Sequence, residues 1–115
     1  MDTVIFHVCK KQDWEVAKTT GFYSGVADHN NDNFIHFSER EEVFQSVEKY
    51  FSGCSDLILL KVRTELLGPA LRWERSRGGK LFPHLYSSLP LEAVIEVQNI
   101  NLDSNGKLIF DNLRL

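Results

Sequence analysis

Cysteine is scarce in this chain: 115 residues carry only Cys9 and Cys54, too few for a disulfide framework and without the short paired spacing of a zinc ribbon. A reduced, cytoplasmic setting is the expectation. Positive charge is not in excess either. With a net charge of -3 and a pI near 5.8, the chain has no basic surplus to coat a phosphate backbone, so general nucleic-acid binding is not expected. No apolar run approaches the ~20 residues that span a bilayer. Met1-Asp2 leads straight into a strand pattern, with no basic start, long apolar stretch or small-residue cleavage site, so neither membrane insertion nor a secretory leader is expected. Repeats, linkers and low-complexity segments are absent as well. No two histidines stand at i, i+4 on a helix or within one short loop, so no metal is expected. Cys9 lies in an apolar strand pattern and Cys54 in a loop, and no nucleophile-elbow motif surrounds a serine, which leaves no obvious activated nucleophile.

What is present is an ordinary globular composition, 43% apolar and 25% charged. Residues 1–115 fit a single domain with one core region. Val4 to Cys9 reads as a strand whose alternation sends Val4, Phe6 and Val8 one way and Ile5, His7 and Cys9 the other. Asp13 can cap a short helix through Trp14 and Ala17, closed by Gly21. Phe22 to Asn33, with its Asp28-His29-Asn30-Asn31-Asp32 cluster, reads as a surface loop. Phe34 to Phe37 is a strand, and Ser38-Glu39-Arg40-Glu41 has capping-box spacing, which predicts a helix starting at once and carrying the stripe Val43, Phe44, Val47, Tyr50 and Phe51 up to Gly53. Leu57-Ile58-Leu59-Leu60 has the continuous apolar character of a central strand. Ala70 to Glu74 can be extended, Arg75 to Lys80 is a basic loop, Ala93 to Val97 resumes a strand, and Asp103-Ser104-Asn105-Gly106 is a hairpin turn into Lys107 to Phe110. Six strand-like segments with one main and one short helix predict an α+β domain on a curved, largely antiparallel sheet.

Chemistry concentrates in two stretches, Leu71-Arg72-Trp73-Glu74 and Phe82-Pro83-His84-Leu85-Tyr86, joined by a short glycine loop. Three strand candidates place polar groups two apart on one face: His36 with Ser38, Arg72 with Glu74, and His84 with Tyr86. Together with His7 they suggest a small-molecule cleft. Each has a plainer reading beside it. His7 in an apolar strand is more often a core histidine bonded to nearby backbone. Ser38 is already accounted for as a helix cap, Arg72 and Glu74 form an ordinary surface pair worth about 0–1 kcal/mol, and Trp73 belongs to the core. In the functional reading, Arg72 grips a phosphate or carboxylate while Glu74 acts as a base or orients a hydroxyl.

The succession Ile5-Phe6-His7-Val8, Trp14, Gly21-Phe22-Tyr23, Phe34-Ile35-His36-Phe37-Ser38, Leu71-Arg72-Trp73-Glu74 and Phe82-Pro83-His84-Leu85-Tyr86 closely resembles the domain of unknown function 952 family, through about Val97. Departures are small: Asn33 stands where the family usually has Gly, Phe37 where it often has Cys, and Ser87-Ser88 where it often has Gly-Pro. The family is similar, remotely, to ADP-ribosyltransferase folds, in which a split sheet clamps NAD. That resemblance implies a split-sheet fold, NAD as substrate, and a ribose-holding role for His7. Chemistry alone, without a motif match, suggests Tyr86 or Tyr23 for stacking on nicotinamide and Glu74 for orienting the ribose.

The resulting expectation is a cytoplasmic domain that binds NAD or a related nucleotide and transfers or hydrolyses ADP-ribose. His7 and Glu74 would be catalytic, and His36, Ser38, Arg72, Trp73, His84 and Tyr86 would bind the ligand. The alternative is a non-catalytic binding module for a nucleotide or sugar phosphate. A third class, a partner-binding fold whose polar groups only satisfy one another, predicts no pocket.

Overall fold

A computed structural model describes residues 3–24, 34–75 and 77–115. The loop cluster at Asp28 to Asp32 therefore lies outside the described residues. Strand β1 spans Val4–Lys10 and runs directly into helix α1, Lys11–Thr20, which ends where Gly21 takes the left-handed conformation at φ 88°. Asp13 sits in the first turn of α1 and does not cap it, because the helix already begins at Lys11. Trp14 and Ala17 are its buried pair, as the spacing implies.

Two short strands follow, β2 at Phe22–Tyr23 and β3 at Ile35–His36. Helix α2 covers Val43–Phe51, β4 Leu57–Arg63, β5 Leu71–Arg75, β6 Leu81–Leu85, β7 Leu89–Pro90, β8 Val94–Leu102 and β9 Leu108–Ile109. With 10 and 9 residues, the two helices are nearly equal, so the division into a main and a short helix does not hold. Phe22 and Tyr23, expected in a loop, pair instead with Pro90 and Leu89.

All strand pairs are antiparallel. One sheet has the order β1-β4-β8-β9, a second β3-β6-β5, and β2-β7 forms a third. Among the described residues the first two meet at an isolated bridge, where Phe6 and Ser38 exchange backbone hydrogen bonds of 2.9 and 2.8 Å. The result is a curled antiparallel sheet with two helices, an α+β fold.

The bridge explains a departure from the sequence reading. Ser38 pairs its backbone with Phe6 and gives its hydroxyl to Ser46, and α2 begins only at Val43 after a turn in which Glu42 N–H and Val43 N–H both donate to the Glu39 carbonyl. The carboxylates of Glu39 and Glu41 precede the helix and do not occupy its first turn.

Alternation then sorts side chains into two cores. Ile5, Cys9, Ile58, Leu60 and Val62 pack with α1, Tyr23, Ile35, Phe37 and Leu85 on one face. Phe6, Val8, Leu57, Leu59 and Ile100 pack with α2 on the other, joined by Phe110 stacked on Phe44 at 4.4 Å. β4 is central and buried on both faces, as its unbroken apolar run requires. Among the described residues, no helix is long and apolar enough to cross a membrane.

Candidate functional site

The site lies where the sheets meet beneath α2. Phe37 and Leu85 point into the first core, so their neighbours His36 and His84 turn to the α2 face. The β3–β6 register sets these two histidines directly opposite each other, with ring centroids 5.1 Å apart and the rings edge to face. On β5, Leu71 and Trp73 pack against the first core, which leaves Arg72 and Glu74 on the His84 side. Arg72 is opposite His84, so Glu74 is its diagonal neighbour, a separation that a glutamate can span.

It does span it. Glu74 Oε1 lies 2.8 Å from His84 Nδ1 and accepts a second hydrogen bond from the Tyr86 hydroxyl at 2.6 Å. The Tyr86 bond foremost, then the His84 bond, holds the Glu74 carboxyl below the usual carboxylate range. The same carboxylate pushes the Tyr86 phenol up. Arg72 lies 5.2 Å over the Tyr86 ring, a cation at the rim of the group. Phe34 closes over it, with ring centroids 4.2 Å from His84, 4.6 Å from His36 and 5.1 Å from Tyr86.

His84 is 4% exposed, and its Nε2 is the one buried side-chain nitrogen or oxygen among the described residues that lacks a hydrogen-bond partner. Such an atom calls for an explanation, because leaving a buried polar group unpaired costs about 1–3 kcal/mol. Its ring helps to wall a cavity of about 290 Å³ shared by β1, the β3 strand and its extension, α2 and β6. The walls are largely apolar, from Phe6, Val8, Val43, Val47 and Phe82, with the hydroxyls of Ser38 and Ser46 bonded to each other at 3.2 Å. The stripe on α2 therefore serves the cavity as well as the core; Tyr50, predicted to be part of it, is 57% exposed.

His7 has a different position. It shares the β1 face of Ile5 and Cys9, with ring contacts to Phe37 and Tyr23. Its Nδ1 is 2.6 Å from the His36 carbonyl, which can only accept, so Nδ1 carries the hydrogen. Nε2 is 2.8 Å from the Tyr23 hydroxyl, which also shares a hydrogen bond with Cys9. His7 thus ties β1, β2 and β3, one strand from each of the three sheets. Burial pushes the Cys9 thiol up to about 12 and the Tyr23 phenol well above its ordinary value.

The structure thus gathers His36, Ser38, Arg72, Glu74, His84 and Tyr86 on one face. It places the His7 and Trp73 side chains toward the other core, although His7 still borders the cavity. Sequence reasoning missed Phe34, Ser46 and the buried role of Tyr23; Phe34 stood next to His36, but nothing local marked it as a cover. Among the described residues, no three His, Cys, Asp or Glu side chains cluster as a metal site.

Comparisons agree with this architecture. The crystal structure of protein CC0527 from Caulobacter crescentus is 38% identical, with 93% of this chain and 94% of that chain covered and a TM-score of 0.87. The solution NMR structure of CC0527 is 39% identical, covering 92% and 91% of the two chains with a TM-score of 0.79. No curated protein matches the chain. The family model whose description reads Protein of unknown function (DUF952) matches residues 8–97, and the chain belongs to that family.

Proposed function

We propose that the cavity binds a nucleotide or sugar phosphate, with NAD the leading candidate, and that His84 and Glu74 form the acid–base centre for moving its ADP-ribose group to water or a hydroxyl. The observation that carries this reading is the buried imidazole held by a carboxylate at Nδ1, with its Nε2 unpaired and its ring bordering the cavity. That arrangement is the orienter-and-base geometry of acid–base catalysis. A cavity of about 290 Å³ lies at the lower edge of the ~300–1,000 Å³ usual for ligand sites, which suits one ring and sugar of a dinucleotide. The phosphates would lie outward, toward Arg72.

In the proposed step, the bond between ribose C1′ and the nicotinamide nitrogen breaks and its electron pair leaves with nicotinamide. The acceptor oxygen bonds to C1′ and its proton passes to His84 Nε2, while Glu74 supports the imidazolium through Nδ1–H. A neutral leaving group and a cationic sugar need orientation and electrostatic support more than a strong nucleophile. His7 enters this reading as the brace that holds the β1 wall. The curled sheet, split at the Phe6–Ser38 bridge, supports an ADP-ribosyltransferase-like relationship, and two free cysteines go with a cytoplasmic location.

Thermal unfolding with NAD, ADP-ribose and AMP, alongside a nicotinamide-release assay, tests the proposal. NAD at one hundred times its Kd should stabilise wild type by about 2.7 kcal/mol. Glu74→Gln should still bind but release nicotinamide at least ~100-fold more slowly, the usual scale for losing acid–base catalysis. Binding without release in wild type would mean a non-catalytic module, and no stabilisation by any of the three ligands would defeat the nucleotide reading.

A further inference from the structure

We infer that the cavity selects ligands that present an uncharged hydrogen-bond donor to His84, a hydroxyl or primary amide on a compact apolar body, and rejects a carboxylate of the same shape. This rests on the reading of the cavity as a ligand site, but not on the ligand being NAD.

The reasoning starts at Glu74 Oε1. It accepts from the Tyr86 hydroxyl at 2.6 Å and lies 2.8 Å from His84 Nδ1. Both bonds favour the ionised carboxylate, which can only accept, so the His84 hydrogen sits on Nδ1. A neutral imidazole has one such hydrogen, and Nε2 is then a bare lone pair. Adding a proton there would bury an N–H with no acceptor, since that nitrogen has no partner among the described residues. The nearest aromatic groups are Phe34 at 4.2 Å and the edge-on His36 at 5.1 Å. Nε2 is covered in this structure, so a ligand donor reaches it only when a neighbouring ring moves aside.

The remaining walls decide against an anion. Phe6, Val8, Val43, Val47 and Phe82 give it no counter-charge, and no Lys or Arg among the described residues lines the cavity. A carboxylate would set lone pair against lone pair in a desolvated place. Arg72 lies at the rim on Tyr86, so negative groups of a longer ligand belong outside.

Long-range ¹⁵N NMR of the histidine rings in the full chain at neutral pH reads the tautomer without any ligand. The same sample is then titrated with benzamide and with benzoate, matched in shape and different in donor capacity. The expected result is a neutral Nδ1–H tautomer for His84, and benzamide binding at least about tenfold tighter than benzoate. In Glu74→Gln, which leaves position 74 able to donate or accept, the tautomer should relax and the preference collapse. An imidazolium or an Nε2–H tautomer in wild type would overturn the inference. So would equal binding of the two probes, or no binding of either at millimolar concentration. Benzamide binding with no response to NAD would sink the nucleotide reading alone.

Discussion

Replacing His7 by alanine removes a side chain that ties a strand of each sheet together, and the cost can be worked from its partners. The His36 carbonyl loses a donor at 2.6 Å and the Tyr23 hydroxyl loses a partner at 2.8 Å, both in a region where His7 itself is 5% exposed. Each buried group left unsatisfied costs about 1–3 kcal/mol, and the vacated ring volume adds a cavity penalty. Cys9 remains a weak partner for Tyr23, which limits the loss on that side. The expected total is about 3–6 kcal/mol, a large share of the ~5–15 kcal/mol typical of a domain. At this chain length it corresponds to a fall in Tm of about 12–25 °C. Urea unfolding of His7→Ala, Tyr23→Phe and the double variant measures it, and the two single losses should be non-additive because they break the same bond. If His7→Ala loses less than about 1 kcal/mol while ligand affinity disappears, His7 is a ligand contact and the bracing argument is refuted.

Two further outcomes follow from the titrating groups. The folded-state pKa of Glu74 is depressed, chiefly by Tyr86 and then His84, so its stabilising effect is present above the ordinary carboxylate range and fades as pH falls through the lowered value. Acid unfolding followed by circular dichroism should therefore be less steep in Glu74→Gln than in wild type. Cys9 has the opposite sign: burial raises its thiol from 9.0 to about 12, so the protonated form is favoured in the fold and stability declines as pH rises above 9.0. In the native protein Cys9 should resist a thiol-specific reagent that modifies the half-buried Cys54, and should react only at the rate of unfolding.

Period and punctuation in the sequence were enough to specify much of the local structure. Alternation in β1 assigned Phe6 and Val8 to one core and Ile5 and Cys9 to the other; Gly21 supplied the left-handed residue that ends α1. The apolar run at 57–60 marked the strand that is covered on both sides, and Asp103 organises the turn through bonds to the N–H groups of Asn105 and Lys107. The pairing of Arg72 with Glu74 on one face was equally visible, because a strand alternates whatever surrounds it.

Partnership between strands was not visible in this way. The capping box at Ser38 does not form: the Phe6 bridge, 32 positions away in sequence, keeps Ser38 in the sheet, its hydroxyl bonds Ser46, and the helix starts only at Val43. Tyr23 looked like a loop residue until Leu89 and Pro90 gave it a strand to pair with and His7 gave its hydroxyl a partner. The choice of His84 as the partner of Glu74 came from the β5–β6 register, which sets Arg72 against His84 and brings Glu74 within diagonal reach. Sequence periodicity fixes which way a side chain points relative to its own strand, since that depends only on backbone geometry. Which group it meets depends on register and sheet closure, and only the folded chain decides those.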